Sequence, residues 1–221
     1  MRQILEQVLS GNSLSLTDAA ETFAALTEET SSPAMAAALL AALRTKGETP
    51  DEIRGFAIAM RGMSRRPAIS RGIDAVDIVG TGGDASGSLN LSTGAALLTA
   101  ACGLPVVKHG NRSISSKSGS ADVLEALGME MPLNEQAAAR HLERTGFTFL
   151  YAPYYHPAMK ALASVRKCLG VRTALNVLGP LTNPAQPKFY VIGAFSVDVA
   201  RLLADTLAGL EAQRAFVIHG A

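Results

Sequence analysis

The residues best suited to chemistry lie in one polar run, which extends from Lys108 to Ser120. This run combines cations, hydroxyl groups and small residues, and almost none of its residues could build a core. It lies between an apolar, strand-like segment and a helix-like segment, and no Asp or Glu occurs between Asp84 and Asp122. Such a stretch offers hydrogen-bond donors and positive charge without competing carboxylates, which indicates a site for a phosphate-rich anion.

A glycine-rich turn, Gly80-Thr81-Gly82-Gly83-Asp84, lies upstream at the end of a short apolar segment. Together with Ala85 it formally matches the dinucleotide fingerprint, but the next strand ends in Lys108-His109 instead of the acid that would hold a ribose hydroxyl. The turn also lacks the Gly-Lys-Ser/Thr ending of a nucleotide-hydrolase loop. We interpret it as a backbone nest for the phosphate of a sugar phosphate, with a plain strand-to-helix turn as the alternative.

The segment Asn90-Leu91-Ser92-Thr93 is predicted to begin the next helix. Ser92 could cap that helix, or its hydroxyl could bind phosphate oxygens together with the helix N-terminal amides. It could also ligate a magnesium ion carried by a pyrophosphate. Lys108 and Arg112 would then supply the positive charge.

Composition sets the class of protein. The 221 residues include 20 basic and 19 acidic side chains, a net charge of +1, and this balance argues against a broad nucleic-acid or membrane surface. The most apolar window, Met35 to Leu43, is too short to span a bilayer. Cys102 and Cys168 are widely spaced in apolar or helical surroundings, so we expect buried, reduced thiols. These features predict a globular, cytoplasmic protein.

Residues 1–70 are predicted to form a helical domain. Ser15, Ser32 and Thr49 are expected caps, and Thr49-Pro50-Asp51-Glu52 is a capping box whose helix should run to about Arg66. The third helix, Pro33 to Arg44, is rich in alanine. It could serve only as a packed bundle helix or also as a dimer interface.

Residues 71–221 alternate between strand-like and helix-like segments, which predicts an α/β domain with a mostly parallel sheet and flanking helices. The predicted strands are, in order, Val76 to Val79, Pro105 to Val107, Phe147 to Tyr151, Lys188 to Phe195 and Ala215 to Ile218. The helices between them are expected at Ser92 to Cys102, Ser120 to Leu127, Asn134 to Thr145, Pro157 to Leu169 and Ser196 to Leu207. Ligands of such sheets bind at the carboxyl ends of the strands. The segment from Pro67 to Asp74 is a candidate domain boundary and hinge.

Taken together, the motifs at 80–84, 90–93 and 108–122 resemble those of the anthranilate phosphoribosyltransferase family. The resemblance continues through His156-Pro157-Ala158-Met159-Lys160, Arg166, Arg172-Thr173 and the run from Asn176 to Pro184. It implies transfer of the phosphoribosyl group of phosphoribosyl pyrophosphate to the amine of anthranilate, with Mg²⁺ as cofactor, in tryptophan biosynthesis. It also implies a small helical domain and a homodimer.

The resemblance also implies the site residues. Phosphoribosyl pyrophosphate would bind Gly80, Gly83, Asp84, Ser88, Asn90, Leu91, Ser92, Thr93, Lys108, His109, Gly110, Asn111, Arg112, Ser113, Ile114, Ser115, Ser116 and Ser120. Ser92 would also contact the magnesium ion. Anthranilate would meet Gly80, Asn111, His156, Arg166, Gly179 and Pro180, with no residue implied as a catalytic base. From the residues alone, Arg166 suits a carboxylate or a surface ion pair on its helix.

Family members continue beyond the position of Ala221 and carry an Asp-Glu pair there that binds magnesium. This chain, truncated at its C-terminus relative to the family, is therefore expected to be either a fragment of a longer enzyme or a truncated protein that keeps part of the phosphate site and lacks full metal binding. Its end at the apolar strand Phe216-Val217-Ile218 favours the fragment. A pyrimidine nucleoside phosphorylase is the alternative enzyme, and a non-catalytic, nucleic-acid-binding relative is the alternative from another class. The motifs favour the transferase over the first, and the near-neutral charge argues against the second.

Overall fold

A computed structural model describes residues 1–70, 73–82, 89–113 and 118–220. The N-terminal part contains four helices, α1 (Arg2–Leu9), α2 (Leu16–Leu26), α3 (Pro33–Lys46) and α4 (Pro50–Gly62). Their predicted starts are confirmed, because Ser15, Ser32 and Thr49 each accept a hydrogen bond from a first-turn backbone N–H. Thr49 and Glu52 form the complete capping box.

The predicted end of α4 was too late, since the helix stops at Gly62 and not near Arg66. The Arg65 backbone N–H donates to the carbonyl of Tyr155 at 2.8 Å, and not to a carbonyl of its own helix. Pro67 further disfavours helical geometry at the residue before it. The chain therefore leaves the helix and runs onto the following part of the protein. The candidate hinge, Pro67 to Asp74, lies partly outside the described residues.

The second part is built on a five-stranded sheet in the order β3-β2-β1-β4-β5, with every neighbouring pair parallel. The strands are β1 (Val76–Gly80), β2 (Val106–Gly110), β3 (Phe147–Tyr151), β4 (Phe189–Gly193) and β5 (Arg214–Ile218). The predicted α/β class with a parallel sheet is confirmed. β2 starts after Pro105 and extends past the predicted end at Val107, so Lys108 and His109 belong to the strand itself.

The helices of this part are α5 (Leu91–Ala101), α6 (Ser120–Ala126), α7 (Glu135–Thr145), α8 (Ala152–Tyr155), α9 (Ala163–Leu169) and α10 (Val197–Ala208). Short 3₁₀ turns cover Pro157–Leu162, Ala174–Asn176 and Gly179–Leu181. The predicted single helix from Pro157 to Leu169 is therefore a 3₁₀ segment followed by α9. A 3₁₀ turn is a common way to begin a helix. Ser196 caps α10 as predicted.

The largest apolar core joins the two parts. Buried side chains of α2, α3 and α4, such as Phe23, Leu40 and Phe56, belong to the same cluster as Tyr190 and Ile192 of β4. A second cluster around Ile78, Val106 and Phe149 packs with α5 and α6, and a third around Leu150 packs with α7. The sheet is therefore covered by helices on both faces, which positions its carboxyl edge for a ligand.

The expectation of buried cysteines was wrong, because Cys102 and Cys168 are both exposed and free. Cys102 follows the last turn of α5, a helix that buries only Thr93 and Ala96. Its apolar composition misled the prediction, since Leu98 and Leu104 beside it are also exposed. In the part of the chain that the structure describes, no helix is long and apolar enough to cross a membrane.

Candidate functional site

The carboxyl ends of β1 and β4 form the point where the strand order reverses. β1 is followed in the chain by β2 on one side and lies beside β4 on the other. Gly80 pairs with Gly193 across this boundary, and the Thr81 N–H donates to the Gly193 carbonyl at 2.8 Å. Ligands of open parallel sheets bind in the crevice outside such a switch point.

The glycine-rich turn begins here. Gly82 has φ +68°, a left-handed backbone conformation that glycine adopts without steric cost. Among the described residues, only the backbone of Gly193 and Gly82 lies within 4 Å of a Cβ added to Gly80, at 3.8 Å. The predicted contacts of Gly83, Asp84 and Ser88 lie outside the described residues.

The N-terminus of α5 borders the same crevice. Asn90 is the N-cap, so the capping role considered for Ser92 is not observed. The Ser92 hydroxyl lies 3.4 Å from the Lys108 ammonium, and Asn90 reaches Ser118 at 3.5 Å. Leu91 is exposed, whereas Thr93 is buried and its hydroxyl has no hydrogen-bond partner in the described structure.

Lys108 is the central cation of the site and is fully buried. Its ammonium donates to the carbonyl of Ile78 in β1 and to Ser92. Burial lowers the pKa of Lys108 to about 8, while the nearby Asp77 carboxylate opposes that shift. Burial likewise raises the pKa of Asp77 to about 6, with Lys108 acting in the opposite direction. A buried cation beside the N-terminus of a helix is suited to an anionic ligand.

His109 follows Lys108 in β2 and contacts the turn that carries Gly179 and Pro180. Its Nδ1 is 3.2 Å from the carbonyl of Gly179, and its ring centroid is 5.0 Å from that of His156. Burial lowers the pKa of His109 to about 3 and that of His156 to about 4, so both rings are neutral near pH 7. His109 Nε2 has no hydrogen-bond partner in the described structure. Pro180 is also buried.

Arg112 faces two carboxylates, although the sequence led us to expect none near its charge. Its guanidinium pairs with Glu125, lies 3.4 Å from Asp122 and contacts the ring of Tyr151. The hydrogen bond to Glu125, with a further contribution from Tyr151, raises the pKa of Arg112. The first turns of α6 bring these acids back toward the loop, which a count along the sequence did not reveal.

Asp122 accepts hydrogen bonds from two separate points of the backbone next to Arg112. Its Oδ2 accepts from the backbone N–H of Ser113 at 3.0 Å and of Gly119 at 2.7 Å, and these bonds lower the pKa of Asp122. Asn111 accepts from the Arg112 N–H, Gly110 ends β2, and Ser120 begins α6. The predicted ligands Ile114, Ser115 and Ser116 lie outside the described residues.

Arg166 on α9 is half-buried, and burial lowers its pKa. Among the described residues no carboxylate lies within ion-pair distance of its guanidinium, so the surface ion pair considered from sequence is not observed there. A partly desolvated guanidinium without an acidic partner is available for the carboxylate of a ligand.

The sequence analysis assigned no site role to three buried polar residues of this region, Asp77, Asn183 and Arg61, although Asn183 belongs to the run from Asn176 to Pro184. Asp77 and Asn183 are fully buried, and Arg61 is 8% exposed. Arg61 donates through Nε to the Leu181 carbonyl at 2.7 Å and through Nη2 to the Tyr190 hydroxyl at 3.4 Å. For Asp77, the sequence did contain a signal, because this aspartate lies inside the apolar strand Val76 to Val79.

A helical bundle and a parallel sheet with a polar crevice at its switch point are features of a two-part α/β transferase. Residues 2–64 match the glycosyl transferase family helical bundle domain, and residues 72–221 match the family's a/b domain. The chain belongs to this glycosyl transferase family.

Individual relatives are similar along the whole chain. Anthranilate phosphoribosyltransferases of Pelotomaculum thermopropionicum and Shewanella amazonensis are each 47% identical to it, and it covers 64% of each. The crystal structure of that enzyme from Thermus thermophilus superimposes with a TM-score of 0.92 at 46% identity, over 98% of this chain and 65% of that one. The Saccharomyces cerevisiae enzyme in complex with PRPP and Mg superimposes with a TM-score of 0.85 at 28% identity. The match covers 99% of this chain and 65% of that one.

Proposed function

We propose that this chain carries the substrate site of an anthranilate phosphoribosyltransferase, which transfers the phosphoribosyl group of phosphoribosyl pyrophosphate to the amine of anthranilate and releases pyrophosphate. The observation that carries the proposal is the buried Lys108 beside Ser92 at the N-terminus of α5, on the same sheet edge as the glycine-rich turn. The substrates in this proposal are inferred from the names of the relatives reported above. The chain spans about 64% of their length, so the activity of the whole enzyme is part of the proposal.

The phosphate side would bind the pyrophosphate and the sugar phosphate. Lys108 supplies the charge, the amides of the α5 N-terminus and the glycine-rich turn supply donors, and Asn90, Ser92 and Ser120 border the crevice. Pyrophosphate departure leaves positive charge on the sugar and negative charge on the leaving oxygens. Stabilising those oxygens needs preorganised donors and cations, and no covalent nucleophile.

The acceptor side would bind anthranilate between Arg166, Asn111 and the His156–Gly179–Pro180 wall. Arg166 suits the carboxylate through its two-pronged donor geometry. The neutral histidines are compatible with an aromatic amine that must stay unprotonated to attack the sugar. The family resemblance assigns Gly80 to both substrates, and Gly80 ends β1 at the carboxyl edge of the sheet.

Magnesium fits this site as a partner of pyrophosphate. In the described residues no group of three or more His, Cys, Asp or Glu side chains could hold a metal ion. Mg²⁺ often keeps several waters and takes one or two protein ligands together with phosphate oxygens. The Ser92 hydroxyl would be such a ligand, and the ion would neutralise charge on the departing pyrophosphate.

We also propose the division into a helical domain, 1–70, and an α/β domain, 71–221. A homodimer through α3 is part of the proposal, since Ala34, Ala38 and Ala41 present small exposed side chains along that helix. A cytoplasmic location fits the two free thiols, which are typical of a reducing compartment.

The function is tested by calorimetric titration of the chain with phosphoribosyl pyrophosphate, with and without Mg²⁺, beside anthranilate binding and turnover. We expect phosphoribosyl pyrophosphate to bind, and Arg166→Lys to weaken anthranilate binding about tenfold because a point charge replaces a two-pronged donor. The matched control is Arg144→Lys on the exposed surface of α7. Absence of phosphoribosyl pyrophosphate binding by the wild-type chain would contradict the proposal.

A further inference from the structure

The sheet opens between β1 and β2 at its carboxyl edge. β1 pairs with β4 at five positions, Val76 to Gly80, and β2 pairs with β3 at five positions, Val106 to Gly110. β1 and β2 pair only at Val76 and Val106. The carboxyl halves of these two strands therefore lack a regular ladder, and the Lys108 side chain of β2 crosses to the Ile78 carbonyl of β1 there.

Asp77 and Asn183 replace the missing ladder. One oxygen of Asp77 accepts from the backbone N–H of His109 at 3.3 Å, and the other accepts from the Asn183 amide at 2.9 Å. The same amide nitrogen donates to the Val107 carbonyl at 2.8 Å, and the Asn183 oxygen accepts from the Ala185 N–H at 3.0 Å. Both side chains are fully buried and their oxygens and nitrogen are hydrogen-bonded.

This buried pair connects the two sides of the candidate site. Asp77 fixes the backbone of β2 between Lys108, which reaches Ser92, and His109, which reaches the Gly179 carbonyl. Asn183 ends the turn that carries Gly179 and Pro180. A buried carboxylate carries a large desolvation cost, and a sheet that needed only stability would favour apolar residues here.

We propose that Asp77 and Asn183 are positioning residues, which hold the carboxyl end of β2 and the 179–183 turn in the arrangement that both substrates require. This inference rests on the proposed function, and neither residue contacts substrate in it.

The first test needs no ligand. Amide hydrogen exchange is measured by mass spectrometry on the whole chain for Asp77→Asn, Asn183→Ala and the control Thr148→Val. Thr148 is also fully buried in the sheet, and its hydroxyl has no partner in the described structure. We expect segments 106–110 and 179–183 to exchange at least tenfold faster in the first two variants and unchanged in the control. Equally faster hydrogen exchange in all segments, or unchanged exchange in all of them, would overturn the proposal. If Asn183→Ala does not fold, Asn183→Ser replaces it in the experiment.

The second test measures phosphoribosyl pyrophosphate binding by calorimetry. Each single variant should bind phosphoribosyl pyrophosphate at least tenfold more weakly than the wild type. The titrations are made at a temperature at which thermal unfolding curves show that the variant is folded. The exchanged pair, Asp77→Asn with Asn183→Asp, should recover only part of the affinity. It restores an amide–carboxylate bond between positions 77 and 183 with donor and acceptor reversed, but it leaves the Val107 carbonyl without its donor. Unchanged affinity in the single variants refutes positioning. If the wild type does not bind phosphoribosyl pyrophosphate but the hydrogen-exchange experiment gives the expected result, the proposed function is wrong and the structural role of Asp77 and Asn183 is retained.

Discussion

The guanidinium of Arg61 in α4 donates to the backbone carbonyl of Leu181, 120 residues later in the chain, at 2.7 Å. The contact joins the helical part to the turn that carries Gly179 and Pro180, and Arg61 also reaches the Tyr190 hydroxyl in β4. Among the described residues no carboxylate forms an ion pair with this buried cation. The two parts of the protein are therefore connected by a polar anchor as well as by their shared apolar core.

Replacing Arg61 by Ala should lower the free energy of unfolding by about 2 to 4 kcal/mol, because it removes charged hydrogen bonds and leaves the Leu181 carbonyl unpaired. Urea denaturation followed by circular dichroism measures the change. The control is Arg201→Ala, whose exposed ion pair with Asp198 at 3.9 Å should contribute less than about 1 kcal/mol. Equal unfolding midpoints for the two variants would show that Arg61 is not an anchor.

Close packing of α2 on α4 depends on Gly55. A Cβ at this position would lie 2.5 Å from the Leu16 carbonyl oxygen and 2.7 Å from the Ala19 Cβ, and both neighbours are part of α2. Gly55→Ala should therefore destabilise the protein by about 2 kcal/mol, despite the higher helix propensity of alanine. Gly62→Ala in the same helix meets no described atom within 4 Å and should stabilise by about 0.5 kcal/mol. Thermal unfolding compares the two, and a stabilised Gly55→Ala would contradict the packing argument.

Local features of the fold were predictable from sequence, and long-range contacts were not. The capping box at Thr49, the cap at Ser196 and the bounds of Phe147–Tyr151 depend on neighbouring residues, and all three predictions were confirmed. The hydrogen bond between Asp77 and Asn183 joins residues 106 apart, and no local pattern encodes it. Arg112 shows the same limit, since its acidic partners come from the next helix.

The buried histidines should make the protein less stable in acid. Burial lowers the pKa of His109 to about 3 and that of His156 to about 4, so on acidification through about pH 6.5 the unfolded chain takes up protons first. Each histidine then lowers the free energy of unfolding by up to about 1.4 kcal/mol per pH unit. Asp77 opposes this below its pKa of about 6, because its buried carboxyl gains a proton in the folded state. With two histidines against one aspartate, stability should fall from about pH 6.5 to about pH 4.

Urea midpoints between about pH 7 and about pH 4.5 measure this slope. His156→Gln should give a shallower slope than the wild type, since it removes one of the two buried groups. His219→Gln is the control, because the His219 side chain lies at the exposed end of the described chain. A wild-type midpoint that is constant across this range would argue against two neutral, buried rings.

Gly119 lies against the backbone of residues 111–113, and its replacement should impair phosphate binding. An added Cβ would lie 2.3 Å from the Ser113 nitrogen and 2.5 Å from the Arg112 carbonyl carbon, so the backbone of 111–113 must move. We expect Gly119→Ala to weaken phosphoribosyl pyrophosphate binding at least tenfold in calorimetry, because Asn111 and Ser113 lose their positions. The remote Gly62→Ala variant should bind like the wild type. If Gly119→Ala binds with unchanged affinity while remaining folded, the 111–113 backbone does not contribute to the phosphate site.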